Sequence, residues 1–286
     1  MAPTEPAIAP LVATELGDAD ALVRAAGWNQ VAADWEIFLA LGTVFAAHDG
    51  GRVVATAAIL PYGAFAWVSM VLVLPDYRRH GLGTKLLKRC MEELARQGRV
   101  PVLDATPAGK PLYRQIGFVE TWGYHRLTRP ESGPLPGGAP SAGISVRAIV
   151  DADWAALCAY DAKAFGADRS ALLTRLRGRL SSAELIAEQN GRIAGFLLGR
   201  NGRTSSQFGP LVAENDEAAR ALLSRALTAI TGPVYIDFAD SKAALLSWLA
   251  GRGFTPQRPL TRMLLGRASG FDDEARTFAV AGPELG

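Results

Sequence analysis

A chain of 286 residues, 49% hydrophobic and 20% charged, carries enough apolar material for two ordinary buried cores. Its formal net charge of +2 comes from 30 basic and 28 acidic residues spread along the chain, which excludes a basic arm for nucleic acid. No apolar run reaches membrane-spanning length, MAPTEPAIAP is no secretory leader, and three histidines with two distant cysteines give no metal-ligand spacing, so a cytoplasmic protein with no membrane partner is expected.

Residues 8–16 read as a first strand, and Asp18 can cap a helix that runs to about Ala26. The polar and aromatic string Gly27-Trp28-Asn29-Gln30 follows, and residues 32–41 read as a second helix with Trp35, Phe38, Leu39 and Leu41 as apolar anchors. Asp49-Gly50-Gly51 between two apolar segments signals a hairpin. Residues 64–74 form the next predicted strand, 82–97 a helix closed by Gly98, and 100–105 another strand. A short helix through Gln115 leads to Gly117-Phe118 and a strand to about Leu127. Residues 129–144 are dense in Pro, Gly and Ser, the composition of a linker. The same order of elements then returns, with Asn190-Gly191 as the hairpin signal and Gly253-Phe254 matching Gly117-Phe118. The sequence thus predicts an α/β fold with mixed sheets in two tandem domains, 1–128 and 145–267, and a peripheral tail at 268–286. Cys90 and Cys158 both fall on apolar helix faces and are expected as reduced, buried thiols.

The strand-to-helix turn at residues 75–84 carries Arg78, Arg79, His80, Gly81, Leu82, Gly83 and Thr84. Backbone N–H groups at a helix start favour an anion, and glycine lets the backbone come close to it. The turn is a candidate cradle for a phosphate or pyrophosphate; it could also be a tight connection with solvated arginines. It does not close with Gly-Lys-Ser/Thr, and it lacks the third glycine of the dinucleotide fingerprint because position 86 is Leu.

What remains is Arg-x-x-Gly-x-Gly after a strand, and this resembles motif A of the GCN5-related N-acetyltransferases. The order of elements in each half is similar to that family too. The resemblance implies acetyl-CoA as cofactor, its diphosphate on residues 78–84 and its pantetheine arm beside residues 71–73. A backbone N–H of Leu72 or Val73 would then polarise the thioester carbonyl. Tyr113 stands in Tyr-x-x-x-Gly-Phe, the position of the family's general acid. A phenol with a pKa near 10 can hand a proton to a departing thiolate. Without the family, Tyr113 reads first as a half-buried aromatic that packs its helix on the sheet.

Asp104 is the candidate base, placed where the sheet is expected to splay, or else a turn cap before Thr106-Pro107. Trp28, Asn29, Gln30 and Glu36 are candidate acceptor contacts, with core packing as the alternative for the tryptophan. Asp168 and Arg169 interrupt a helical pattern and are added to the acceptor set, although Asp168 is also well placed as a helix cap. The resemblance implies acetyl transfer to a small-molecule amine by a monomer or homodimer. A non-catalytic acyl-CoA sensor and a protein acetyltransferase are the alternatives, and a sensor has no need of an acid at Tyr113. The second half has Ala213-Glu214-Asn215-Asp216-Glu217-Ala218-Ala219 at the matching turn and Leu249 at the tyrosine position. It is expected to be degenerate.

Overall fold

The computed structural model describes residues 6–130, 133, 135 and 143–286; the remainder of the predicted linker lies outside the described residues. The chain divides into two compact units, 1–103 and 104–286.

The first unit contains β1 (Ala7–Pro10), α1 (Leu16–Ala26), α2 (Ala32–Leu41), β2 (Thr43–Asp49), β3 (Arg52–Tyr62), β4 (Phe65–Val73), α3 (Leu82–Arg96) and the start of β5 (Val100–Ala105). Its strands lie in the order β1-β2-β3-β4-β5, antiparallel except for the parallel β4–β5 pair. Gly50 and Gly51 take φ of +56° and +79°, the mirror-image turn whose twist matches a two-residue hairpin. α3 buries Leu82, Leu86, Leu87, Cys90 and Leu94 at helical spacing, and burial pushes the Cys90 thiol up to about 12. Asp18 does not cap α1: its carboxylate accepts from the Val53 N–H at 3.0 Å.

The second unit holds α4 (Lys110–Gln115), β6 (Phe118–Arg129), β7 (Ile144–Ala148), α5 (Trp154–Phe165), α6 (Ser170–Leu176), β8 (Leu185–Gln189), β9 (Arg192–Arg200), β10 (Ser206–Ala213) and α7 (Asp216–Leu227). After them come β11 (Val234–Ala239), α8 (Ala243–Ala250), β12 (Thr255–Leu265) and β13 (Thr277–Ala279). Its strand order is β12-β6-β11-β13-β10-β9-β8-β7. β6 comes from the first repeat, yet it is bonded on both sides by strands of the second: Arg126 faces Asp237 of β11 and Arg258 of β12. Trp122, Tyr124, Ala239, Leu260 and Val280 pack as one apolar cluster on these strands, which gives the pairing its burial. By compactness, therefore, the division falls at 103/104 and not at the Pro/Gly/Ser stretch.

The tail expected at the periphery is built into the sheet. β10 and β11 run parallel only from Ser206–Phe208 against Val234–Ile236, and then part. β13 fills the gap, pairing Leu211 with Ala279 and Phe238 with Ala279, while the Val280 N–H donates to the Asp237 carbonyl at 3.1 Å. Phe278, Val280 and Leu285 are fully buried. An apolar TFAVA segment finds there the unpaired strand edges that a solvated tail would lack.

Candidate active site

In the first unit, β4 carries a bulge. Thr56 of β3 pairs with Leu72 and Ala58 with Ser69, so β4 spends one extra residue between them. Met70 sits there with φ +51°, and its carbonyl accepts from Thr56 Oγ1 at 2.9 Å. On its other side, β4 pairs with β5 only through Trp67 opposite Val102, so within this unit the edge from Val68 onward is unpaired. The Leu74 N–H donates to the Val54 carbonyl at 3.0 Å. Antiparallel bonding alternates, so Leu72 also turns toward β3 while the Val73 amide turns to the open edge. Of the two candidate donors for a thioester carbonyl, the alternation selects Val73. Its carbonyl accepts from Arg78 Nε at 3.0 Å, which ties the basic turn to the strand.

The turn starts with a 3-10 segment, Pro75–Tyr77, and the Tyr77 hydroxyl donates to Asp49 at 2.6 Å. Arg79 adopts φ +67° and Gly81 φ +79°; a left-handed arginine is uncommon and marks a backbone held for a purpose. Gly81 is the N-cap of α3 and offers no side chain to its first N–H groups, and no acid stands in the first helical turn. Those donors and the helix dipole stay available to an anion. Arg78, Arg79, His80 and Thr84 are exposed around them. A Cβ at Gly83 would meet the Val73 and Val71 methyls at 3.6 and 3.8 Å, ordinary contact distances, so position 83 faces the open strand without being crowded by it.

α7 is the counterpart in the second unit, and it closes its own start. Asn215 Oδ1 accepts from the Ala218 N–H at 3.0 Å, and Asp216 and Glu217 occupy the first turn. The strand gap beside it, where the first unit leaves β4 open, is the gap that β13 fills.

Tyr113 lies on α4. Its ring meets Phe118 edge-on at 5.9 Å, and a Cβ on Gly109 would come within 2.9 Å of the ring, so a glycine is needed for the tyrosine to lie where it does. Burial raises the phenol pKa above its ordinary value. The group therefore stays protonated throughout the neutral range.

Asp104 does not fit the part of a base. Its carboxylate is fully buried and accepts from Arg262 Nε and Nη2 at 3.1 and 3.2 Å. Arg262 also donates to Asp272 at 2.6 Å and stacks 4.5 Å from the Trp122 ring centroid. Both Asp104 oxygens are engaged in a buried ion pair, so none is presented to an incoming amine. Burial is also the leading cause that raises the Asp104 pKa, outweighing Arg262.

The acceptor candidates divide. Trp28 is half-buried, Asn29 and Gln30 are buried, and Glu36 is exposed on α2. Asp168 is a cap: its Oδ1 accepts from the Ser170 N–H at 2.8 Å at the start of α6. Arg169 is buried, paired at 2.8 Å through two bonds with Asp161, and bonded to the Gly286 carbonyl. It is a structural residue and is withdrawn from the acceptor set. Asp168→Ala should lower the melting temperature, consistent with a cap worth about 0.5–2 kcal/mol, while the acceptor KM is unchanged; a raised KM at unchanged stability would return Asp168 to the site.

Sequence reasoning missed one pattern. Arg126 binds Asp237 through Nε and Nη2 at 2.8 and 2.7 Å, as Arg262 binds Asp104. The signal was present, since each arginine follows the phenylalanine of its Gly-Phe step by eight residues. Each strand-borne aspartate is thus clamped by an arginine from the other repeat. No helix among the described residues is long and apolar enough to cross a membrane.

Comparison with known proteins agrees with this arrangement. A model described as an acetyltransferase (GNAT) domain matches residues 40–120, and a second with the same description matches 157–279. An uncharacterized N-acetyltransferase of Bacillus subtilis is 26% identical over 204 residues, 71% of each chain. Mycothiol acetyltransferase of Sanguibacter keddieii is 33% identical over 192 residues, 56% of this chain and 58% of that one. A solved structure from Pyrococcus horikoshii, described as an acetyltransferase, superposes with a TM-score of 0.80 at 22% identity, covering 100% of this chain and 98% of that one. A tandem GNAT protein from the clavulanic acid biosynthesis pathway gives a TM-score of 0.68 at 18% identity, covering 92% and 99%. With a domain match in each half and the same order of strands and helices built twice, the chain belongs to the GNAT acetyltransferase superfamily as a tandem member, and is an acyltransferase enzyme.

Proposed function

We propose that the chain moves the acetyl group of acetyl-CoA to a primary amine of a small molecule, of the amino acid, amino sugar or polyamine class. The observation that carries the cofactor reading is the uncapped start of α3 beside the open edge of β4. Residues 78–84 supply N–H donors and positive charge for the diphosphate, and the Val73 N–H, turned by the alternation of the β3–β4 ladder toward the other edge of β4, donates to the thioester carbonyl. Acetyl-CoA supplies the activated acetyl group. Tyr113 gives its proton to the departing thiolate, and Trp28 and Glu36 remain the acceptor contacts of the first unit. With Asp104 engaged, the amine enters as its free base, so kcat/KM should rise with pH toward the amine's own pKa. A relative described as mycothiol acetyltransferase supports a small acceptor over a protein.

One cofactor per chain is expected, because α7 is capped and acidic and β13 occupies the second gap. Calorimetric titration with CoA should give a stoichiometry near one. Gly83→Glu should weaken that binding by tens of fold, since a carboxylate in the first turn competes for the donors while stabilising the helix by about 0.3–1 kcal/mol. A stoichiometry of two, with one site unaffected by Gly83→Glu, overturns the reading.

A further inference from the structure

The helix that carries Tyr113 does little to hold itself. α4 is six residues long, none of them is fully buried, and its N-cap, Gly109, offers no side chain to the first N–H groups. A helix this short does not persist in water by its own hydrogen bonds, so contacts outside it must fix its place. One is the edge-on meeting of Tyr113 with Phe118, and another is the Gly109 N–H donating to Thr106 Oγ1 at 3.3 Å. A third is ionic. Glu120, on β6, accepts from Lys110 Nζ at 3.1 Å through Oε2 and from Arg114 Nε at 2.6 Å through Oε1, with Arg114 Nη2 on the same oxygen. Lys110 is four residues before Arg114, so the two cations share a helix face and repel each other unless an anion bridges them. One carboxylate thus ties both ends of α4 to the strand, and Tyr113 lies between the tied points.

The fold does not demand this clamp. Counted from the Gly-Phe step of each repeat, Leu246, Leu249, Ala250 and Pro256 stand where the first repeat has Lys110, Tyr113, Arg114 and Glu120. α8, the counterpart of α4, buries Leu245 and Leu249 and is held by that burial. The copy without the tyrosine has none of the three charges, and the copy with it has all three. Exposed ion pairs stabilise a protein little, which makes them a poor substitute for the apolar face of α8 if stability were the need. Hydrogen bonds between charged groups do fix distance and direction, which apolar contact does not.

We propose that Glu120 is a positioning residue for the acetyl transfer: through Lys110 and Arg114 it fixes α4 so that the Tyr113 hydroxyl is held where it delivers its proton. Proton transfer to a departing thiolate requires the donor within hydrogen-bond reach, and a helix that shifts loses that reach while remaining folded. The inference rests on the assignment of Tyr113 as the acid.

Glu120→Gln keeps the shape of the side chain and removes its charge. At saturating acetyl-CoA, with spermidine as the probe amine, it should lower kcat for thiol release by about 10–10²-fold, the scale of a small misplacement of a reacting group. KM for acetyl-CoA and the melting temperature should hardly change. Lys110→Met with Arg114→Met breaks the clamp from the helix side and should give the same loss. In a Tyr113→Phe background, Glu120→Gln should cost nothing further, because the group it places is gone. Hydrogen exchange of the full chain, which needs no acceptor, should show the amides of residues 110–115 less protected in Glu120→Gln and the others unchanged. Near-normal kcat in Tyr113→Phe removes the acid, and the inference with it. A large loss in Tyr113→Phe beside near-normal kcat in Glu120→Gln overturns the positioning role alone. So do losses that multiply in the double variant, a raised KM at unchanged kcat, or unchanged exchange at residues 110–115.

Discussion

Tyr113→Phe is expected to lower kcat by about 10²–10⁴-fold, the usual contribution of a positioned general acid. The substitution deletes one hydroxyl and keeps the ring, so its edge-on contact with Phe118 and its fit against Gly109 survive, and the melting temperature should hardly change. CoA should bind as before. Burial raises the phenol pKa, so its protonated, competent form persists to higher pH than in a free tyrosine, and loss of activity through its deprotonation should appear only above about pH 10. The measurement is turnover by CoA thiol release under conditions where the chemical step limits the rate. Near-normal kcat in Tyr113→Phe would leave the residue as packing and remove the assigned acid.

What the sequence made legible was local. Asp49-Gly50-Gly51 and Asn190-Gly191 specify their turns because φ is positive at Gly50 and Gly51, and at Asn190 and Gly191. The buried face of α3 follows from the spacing of Leu82, Leu86, Cys90 and Leu94. The uncapped start of α3 and the capped start of α7 can be read from Gly81 against Asn215, since one has no side chain and the other has a short acceptor. Strand partnership was not legible. β6 alternates apolar and polar residues in a way that satisfies any neighbouring strand, and nothing local says that β11 and β12 are its partners. The same limit hid the role of Asp104. A carboxylate at a strand end before a Thr-Pro step looks accessible until Arg262, 158 positions away in sequence, is brought onto it. The tail failed for a related reason. A short apolar segment such as residues 277–281 has no signature of its own, and the gap it fills exists only once β10 and β11 part.

Asp237→Ala is expected to destabilise the protein by about 3–5 kcal/mol, the cost of leaving one member of a buried ion pair without its partner. Asp237 is fully buried, and its loss strands both the Arg126 guanidinium and the Gln207 amide. For a unit of this size each kcal/mol moves the melting temperature by about 2–4 °C, so a fall of roughly 6–20 °C should be seen by calorimetry. Asp104→Ala should cost less, because Asp272 stays on Arg262 at 2.6 Å. The double variant Asp237→Leu with Arg126→Met should recover much of the loss, since an apolar pair of similar volume carries no desolvation penalty. The same comparison separates a clamp from a base at Asp104. As half of a clamp, Asp104→Asn lowers the melting temperature and leaves kcat within a few fold at a temperature where the variant is folded. A base shows the reverse, with kcat falling by orders of magnitude at unchanged stability, and that outcome would restore Asp104 to the chemistry and reduce the crossed pairs to a coincidence of the repeat.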